Sequence, residues 1–305
     1  MRTRSQNKSH TRAVLLALVA VPLLFAALAA LQMRIDAEAR ALATDNDELV
    51  LRSGTMLKKL SLGYDPLLAD IYWTRAVQYY GTHVQEAQPS FKTLWPLLDI
   101  ATTLDPKLLV AYRFGAIFLS EPEPVGAGRA DLAVELVKRG IAANPDEWRL
   151  YEDLGFLYSM HLKDYQKAAD AYLEGSKNPK SMIWMKVMAA RVAQTGNDLA
   201  TSRLIWSEVY ATTKDQMIRK RAMLHIHALD AALGLKALNE SSEEYWRKYG
   251  RFPTSVQELK DAGIVDGTLR DPDGFPYRFG VNGVPELDPK SPIVLDPDQL
   301  PGKPH

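Results

Sequence analysis

His225 and His227 are the first residues to weigh for chemistry. They stand two apart in "HIH" inside a stretch with helical periodicity, so they point to different faces of that helix. A zinc site on a helix wants an i, i+4 pair and a third ligand, and this spacing offers neither. Glu243 and Glu244 read as a solvated helix face. The sequence has no Gly-rich phosphate loop and no Gly-x-Ser-x-Gly elbow. No catalytic residue, cofactor or firm metal site is therefore expected, and the chain reads as a non-enzyme.

Composition narrows the classes further. Lysine and arginine number 37 and aspartate and glutamate 37, so the formal charge is zero. A dedicated nucleic-acid binder usually carries a basic excess, and no nucleic-acid partner is expected. An apolar fraction of 47% over 305 residues is enough to bury a sizeable core. The absence of cysteine excludes disulfides and thiol chemistry.

The elements begin with a basic segment, residues 1–12, carrying Arg2, Arg4, Lys8 and Arg12. Residues 13–33 follow with 21 positions and no charge. At about 1.5 Å per residue, such a helix matches a hydrocarbon core of roughly 30 Å. The positive side stays in the cytoplasm. The expectation is a single-pass anchor in a bacterial inner membrane, with the chain beyond it on the periplasmic or extracytoplasmic side. A cleaved signal peptide is the alternative, since "AALAA" offers small residues for processing. Residues 34–64 form a linker with a short ordered piece around Leu57 and Leu60.

Residues 65–214 repeat a pattern. In "EWRLYEDLGFLYSMHLKDYQKAADAYLEGSKNP" apolar and small residues recur at helical spacing: Leu154, Gly155, Tyr158, then Ala168, Tyr172, Gly175. Gly155 has no side chain and lets a partner helix come close. Upstream stand Phe114, Gly115 and Phe118, then Ala133, Val137 and Gly140. Downstream stand Ala189 and Val192, then Ala200, Leu204 and Ser207. Pro66, Pro106, Pro145 and Pro179 close successive units at intervals of 40, 39 and 34 residues. Pro96 falls where a helix ought to run unbroken, so that helix is kinked or starts late. "SEPEPVGAG" is an insertion between two helices.

The phrase of an aromatic, Leu-Gly and Tyr, then Ala, an aromatic and a closing Pro, resembles a tetratricopeptide repeat. The resemblance implies helix pairs stacked into an α-solenoid, with the first helix of each pair lining a concave surface. It places Trp73, Val77 and Tyr80 in the groove from the first pair, and Leu109, Tyr112 and Ala116 from the second. Arg149, Glu152 and Phe156 follow from the third, and Lys186 and Ala190 from the fourth. A groove of aromatic and charged residues suits a peptide or helix of another protein. Each aromatic can equally serve packing between repeats, and Arg149 can pair with Glu152 at i, i+3.

Residues 215–282 begin as a long helical pattern that stops at Gly250, with Pro253 behind it. Thr254 is placed to cap a short helix near Glu258. "DPDGFPY", residues 271–277, packs rigid turn residues before an alternating Tyr277-Arg278-Phe279 strand signal. This segment resembles the C-terminal half of a type II secretion pseudopilin in Tyr245, Gly250, Phe252, Pro253, Leu259, Gly263, Asp271, Pro272, Gly274, Pro276 and Tyr277. The resemblance implies a small α+β module in which Tyr277 and Phe279 pack on the long helix. The apolar helix lies far upstream, so a filament subunit is not implied. Some members of that family bind calcium in this loop, so the resemblance makes Asp271, Asp273 and Asp288 weak calcium candidates: the ion takes six to eight oxygens, and this stretch is shorter than the family's usual loop. Residues 283–305 read as an extended Pro-rich tail.

The expected whole is mainly α: an N-terminal transmembrane helix, a tetratricopeptide-like solenoid and a small α+β module. Its expected work is non-enzymatic: a membrane-anchored scaffold that binds an envelope protein or peptide segment, within a secretion or pilus-like assembly. A permanently packed subunit of a larger membrane complex is the alternative, and an enzyme or enzyme accessory a further one.

Overall fold

The computed structural model describes residues 53–86, 90–267, 269–280 and 282–295, with scattered positions between 21 and 34. Most of the expected anchor, the basic segment before it and the end of the tail lie outside the described residues. Among the described residues, no helix is long and apolar enough to cross a membrane. The chain divides into two compact units, Met1–Arg52 and Ser53–His305. The described positions of the first are helical. The second is described below.

It is mainly α. Helix α1 is Gly54–Leu60, α2 Asp65–His83, α3 Leu94–Leu104, α4 Leu109–Ser120 and α5 Ala130–Ala143. Helix α6, Trp148–Phe156, runs into a π-helical turn, Leu157–His161. Then come α7 Tyr165–Ser176, α8 Trp184–Thr195, α9 Leu199–Thr212, α10 Gln216–Tyr249 and α11 Val256–Asp261. Strand β1, Arg278–Phe279, pairs antiparallel with β2, Pro285–Glu286. From α2 to α10 the principal contacts join helices adjacent in sequence, and α2 also touches α4 as α4 touches α6.

Small residues set these approaches. A Cβ on Gly115 of α4 would stand 2.7 Å from Leu98 of α3, and one on Gly140 of α5 would stand 2.8 Å from the Tyr112 ring. A Cβ on Gly155 of α6 would meet the ring of Tyr172 in α7 at 2.7 Å. The prolines stand where helices end or begin. Pro66 opens α2, and Pro106, Pro145 and Pro179 lie in the connections after α3, α5 and α7. Pro96 is the third residue of α3, where a missing N–H is harmless, so the helix starts late and is not broken.

Two stripes differ from expectation. Asp198 caps α9 by accepting from the Thr201 N–H, and this start turns Leu199, Ser202, Ile205, Trp206 and Val209 inward. Leu204 and Ala200 are exposed. Phe114 is exposed as well, because Gly115 faces Leu98 and its neighbour must turn away. The insertion after α4 folds back on its helix: the Ala127 N–H donates to Phe118 O, and the Tyr80 hydroxyl donates to Val125 O.

Helix α10 starts on Asp215, whose carboxylate accepts from the Met217 and Ile218 amides. It ends at Gly250, which adopts φ +70°. Leu235, Leu238 and Tyr245 of α10 form a second core with Leu259 of α11 and Tyr277, against which Phe279 packs. Ser255, not Thr254, caps α11. The Thr254 hydroxyl instead donates to the Glu258 carboxylate at 2.5 Å, and with Arg251 it holds that carboxyl down at about 2. The segment read as tail from residue 283 opens inside the sheet, since Pro285 and Glu286 pair with Phe279 and Arg278.

Candidate functional site

Helix α4 presents Arg113, Ala116, Ile117 and Ser120 to one side. Glu152, Asp153 and Phe156 do the same from α6, Leu157 from the π-helical turn, and Trp184 and Met188 from α8. With Tyr172 of α7 these residues line an open cavity of about 300 Å³. That volume is at the lower end of the range for small binding sites. The walls are mostly apolar, and the polar groups sit together on α4 and α6.

Arg113 reaches across from α4 to α6. Its Nε donates to Asp153 Oδ2 at 2.7 Å and its Nη2 to Oδ1 at 3.1 Å. The fork geometry fixes the two helices in register. Hydrogen bonding to Asp153 raises the Arg113 pKa, while burial pushes the Asp153 carboxyl up against the lowering effect of Arg113. The second helices carry a matching link: Arg139 of α5 donates to Asp99 of α3 at 2.5 Å, over the same 40-residue separation.

Glu152 is different. Among the described residues it forms no ion pair. Burial is the main cause that raises its carboxyl, with the neighbouring Asp153 second. Arg149, expected as its partner, turns to Glu147 at 3.2 Å and lies over the Trp148 ring. Below the cavity Tyr172 is buried, and its hydroxyl is pushed up to about 12 by that burial. Phe156 stands at the cavity mouth immediately before the π-helical turn, edge-on to His161. Such turns widen a helix locally and recur at functional sites.

The structure brings Ala116, Glu152 and Phe156 of the expected groove residues together. Tyr112 is not in a groove: it is fully buried, its ring against Gly140 and its hydroxyl toward Thr102 O. Ala190 is fully buried as well, because α8 begins at Trp184 and this register turns Trp184 and Met188 to the cavity. Leu109 is half-buried at the first position of α4. Lys186 pairs with Glu208 of α9. Trp73 and Tyr80 both stack on Phe118, at 6.1 and 4.0 Å, so they join α2 to α4; Val77 is exposed. Arg113, Ile117 and Asp153 were not singled out in the sequence. Their signal is the charge pair at repeat spacing, Asp99–Arg139 and Arg113–Asp153.

The calcium candidates are engaged elsewhere. Asp271 Oδ1 accepts from the Asp273 and Phe275 amides, and its Oδ2 from Ser291. Asp273 contacts His227 Nδ1 at 3.0 Å, and Asp288 accepts from Arg278 and the Lys290 amide. These carboxylates build the turn and do not converge. Among the described residues, no three metal-ligating side chains cluster. His225 stacks on Trp206, away from His227's contact.

Compared with models of protein families and with curated protein sequences, the chain matches none.

Proposed function

We propose that the chain is a membrane-anchored scaffold of tetratricopeptide-like helix pairs, which holds a segment of another envelope protein. The observation that carries this reading is the origin of the cavity. Its walls come mainly from α4, α6 and α8, the first helices of three successive pairs, with Tyr172 of α7 beneath them, as expected of a concave solenoid surface. The glycine contacts between paired helices and the neighbour-to-neighbour packing support it. The uncharged, mostly apolar run of residues 13–33 supplies the anchor, and holding the groove at the bilayer raises its effective concentration there. The C-terminal module, similar to a pseudopilin, is the ground for placing the scaffold in a secretion or pilus-like assembly.

Affinity capture from native membranes tests this. Tagged full-length chain is compared with an Ile117→Asp variant of matched helicity and membrane insertion. An envelope protein captured by the wild type and lost from the variant supports the reading. Equal capture by both moves the working surface elsewhere.

A second reading is a permanently packed subunit of a larger complex. Leu62, Tyr64, Leu67 and Ile71 favour it, because they expose apolar surface together around the start of α2. This reading requires the chain to stay in one large particle on gentle solubilisation, whatever residue 117 is.

A further inference from the structure

We propose that the cavity between α4, α6 and α8 selects a peptide segment bearing an apolar side chain next to a Lys or Arg. The apolar group fills the cavity and the cation pairs with Glu152. This rests on the cavity being the docking groove.

Charge complementarity makes the choice. Arg113 and Asp153 cancel, each satisfying the other in a two-point fork. Arg149 is likewise taken by Glu147. Among the described residues Glu152 is the cavity-lining charge without an ion pair; Arg113 and Arg149 act on it only from a distance, so with the two ion pairs cancelled the site carries a net charge of about −1 and repels an acidic segment. Ile117, Phe156 and Met188 surround the contact with apolar surface and carry no donor, and Trp184 makes no hydrogen bond to Glu152. A partly desolvated carboxylate gains most from a cationic donor, which supplies a charge-assisted hydrogen bond. A neutral apolar peptide would fill the volume and leave Glu152 unpaired. The volume of about 300 Å³ is roughly twice that of a cavity that holds one benzene ring, so it admits one or two large side chains of the segment, with the basic residue beside them.

The test uses full-length chain in nanodiscs to select from a random 12-residue peptide library displayed on phage. Wild type is expected to enrich peptides with a large apolar residue close to Lys or Arg. Glu152→Lys is expected to enrich Asp or Glu in that place instead. One resynthesised wild-type peptide should lose about tenfold in affinity on Glu152→Gln, read by fluorescence polarisation, as for loss of a hydrogen bond to a charged group. Circular dichroism checks that each variant keeps its helicity, and the isosteric Gln variant serves if Lys disturbs folding. Peptides that require Ile117 but show no basic preference, or an unchanged preference with Glu152→Lys, overturn the charge assignment and leave the groove. No enrichment over empty nanodiscs overturns both.

Discussion

A Cβ atom on Gly234 of α10 would collide with the hydroxyl oxygen of Tyr277 and stand 3.1 Å from its Cζ. The ring thus lies against bare helix backbone, and the turn of residues 271–277 exists to hold it there. Gly234→Ala should destabilise the C-terminal module by about 1–3 kcal/mol, the usual cost of overpacking a well-filled core. Tyr277→Phe removes the atom in closest conflict. The double variant should therefore recover part of the loss, giving a coupling that chemical denaturation can measure. Strict additivity would mean the two groups do not meet.

Asp271 holds that turn by accepting two backbone amides while Gly274 takes φ +89°. Asp271→Ala leaves both donors without their acceptor and should cost about 1–3 kcal/mol. Amide exchange at Asp273 and Phe275 reports it directly. Added calcium should rescue nothing, since the carboxylates of Asp273 and Asp288 are committed to His227 and Arg278.

Gly155 and Gly81 form a matched pair in α6 and α2. Alanine at 155 meets the Tyr172 ring, and its better helix propensity cannot offset a clash of about 1–3 kcal/mol. Alanine at 81 meets nothing within 4 Å. It should stabilise by about 0.5–1 kcal/mol through propensity alone. Thermal unfolding of the two variants should move in opposite directions.

His225 gives the stability a pH dependence. Its imidazole lies 4.1 Å from the Trp206 ring, nearly parallel. Burial first, then Arg191 and Arg221, lower its pKa. The folded chain therefore binds the proton less readily than the unfolded one. The contribution is complete above the ordinary histidine range near 6.5 and is lost as pH falls through the lower folded value. Thermal unfolding should move to lower temperature on acidification below about 6.5. His225→Phe should flatten that slope while keeping the stacked contact.

Much of the architecture was legible in the chain's small residues. Gly155, Gly115 and Gly140 marked close helix contacts, and Pro96 marked a late helix start. Gly250 and the "DPDGFPY" turn marked the end of the long helix and the entry to the sheet. The groove was legible only in part, because its register depends on where each helix begins. Ala116, Glu152 and Phe156 line the cavity from α4 and α6. Tyr112 was not: an aromatic one turn from a groove position has the same periodicity whether it faces a partner or the next helix. Lys186 and Ala190 missed the cavity by two residues, since nothing in "SMIW" announces that α8 begins at Trp184. The Arg113–Asp153 fork joins side chains 40 residues apart, and only the stacking of the helices brings them together.

The central claim is that another protein occupies the cavity of α4, α6 and α8. Site-specific photocrosslinking in native membranes tests it most directly, with a photoreactive phenylalanine analogue at position 156 or 117 and a control at Leu204, which is exposed on α9. The account predicts one crosslinked species of defined mass from positions 156 and 117 and none from 204. Equal crosslinking from 204, or none from either cavity position while the chain is inserted and folded, would contradict it.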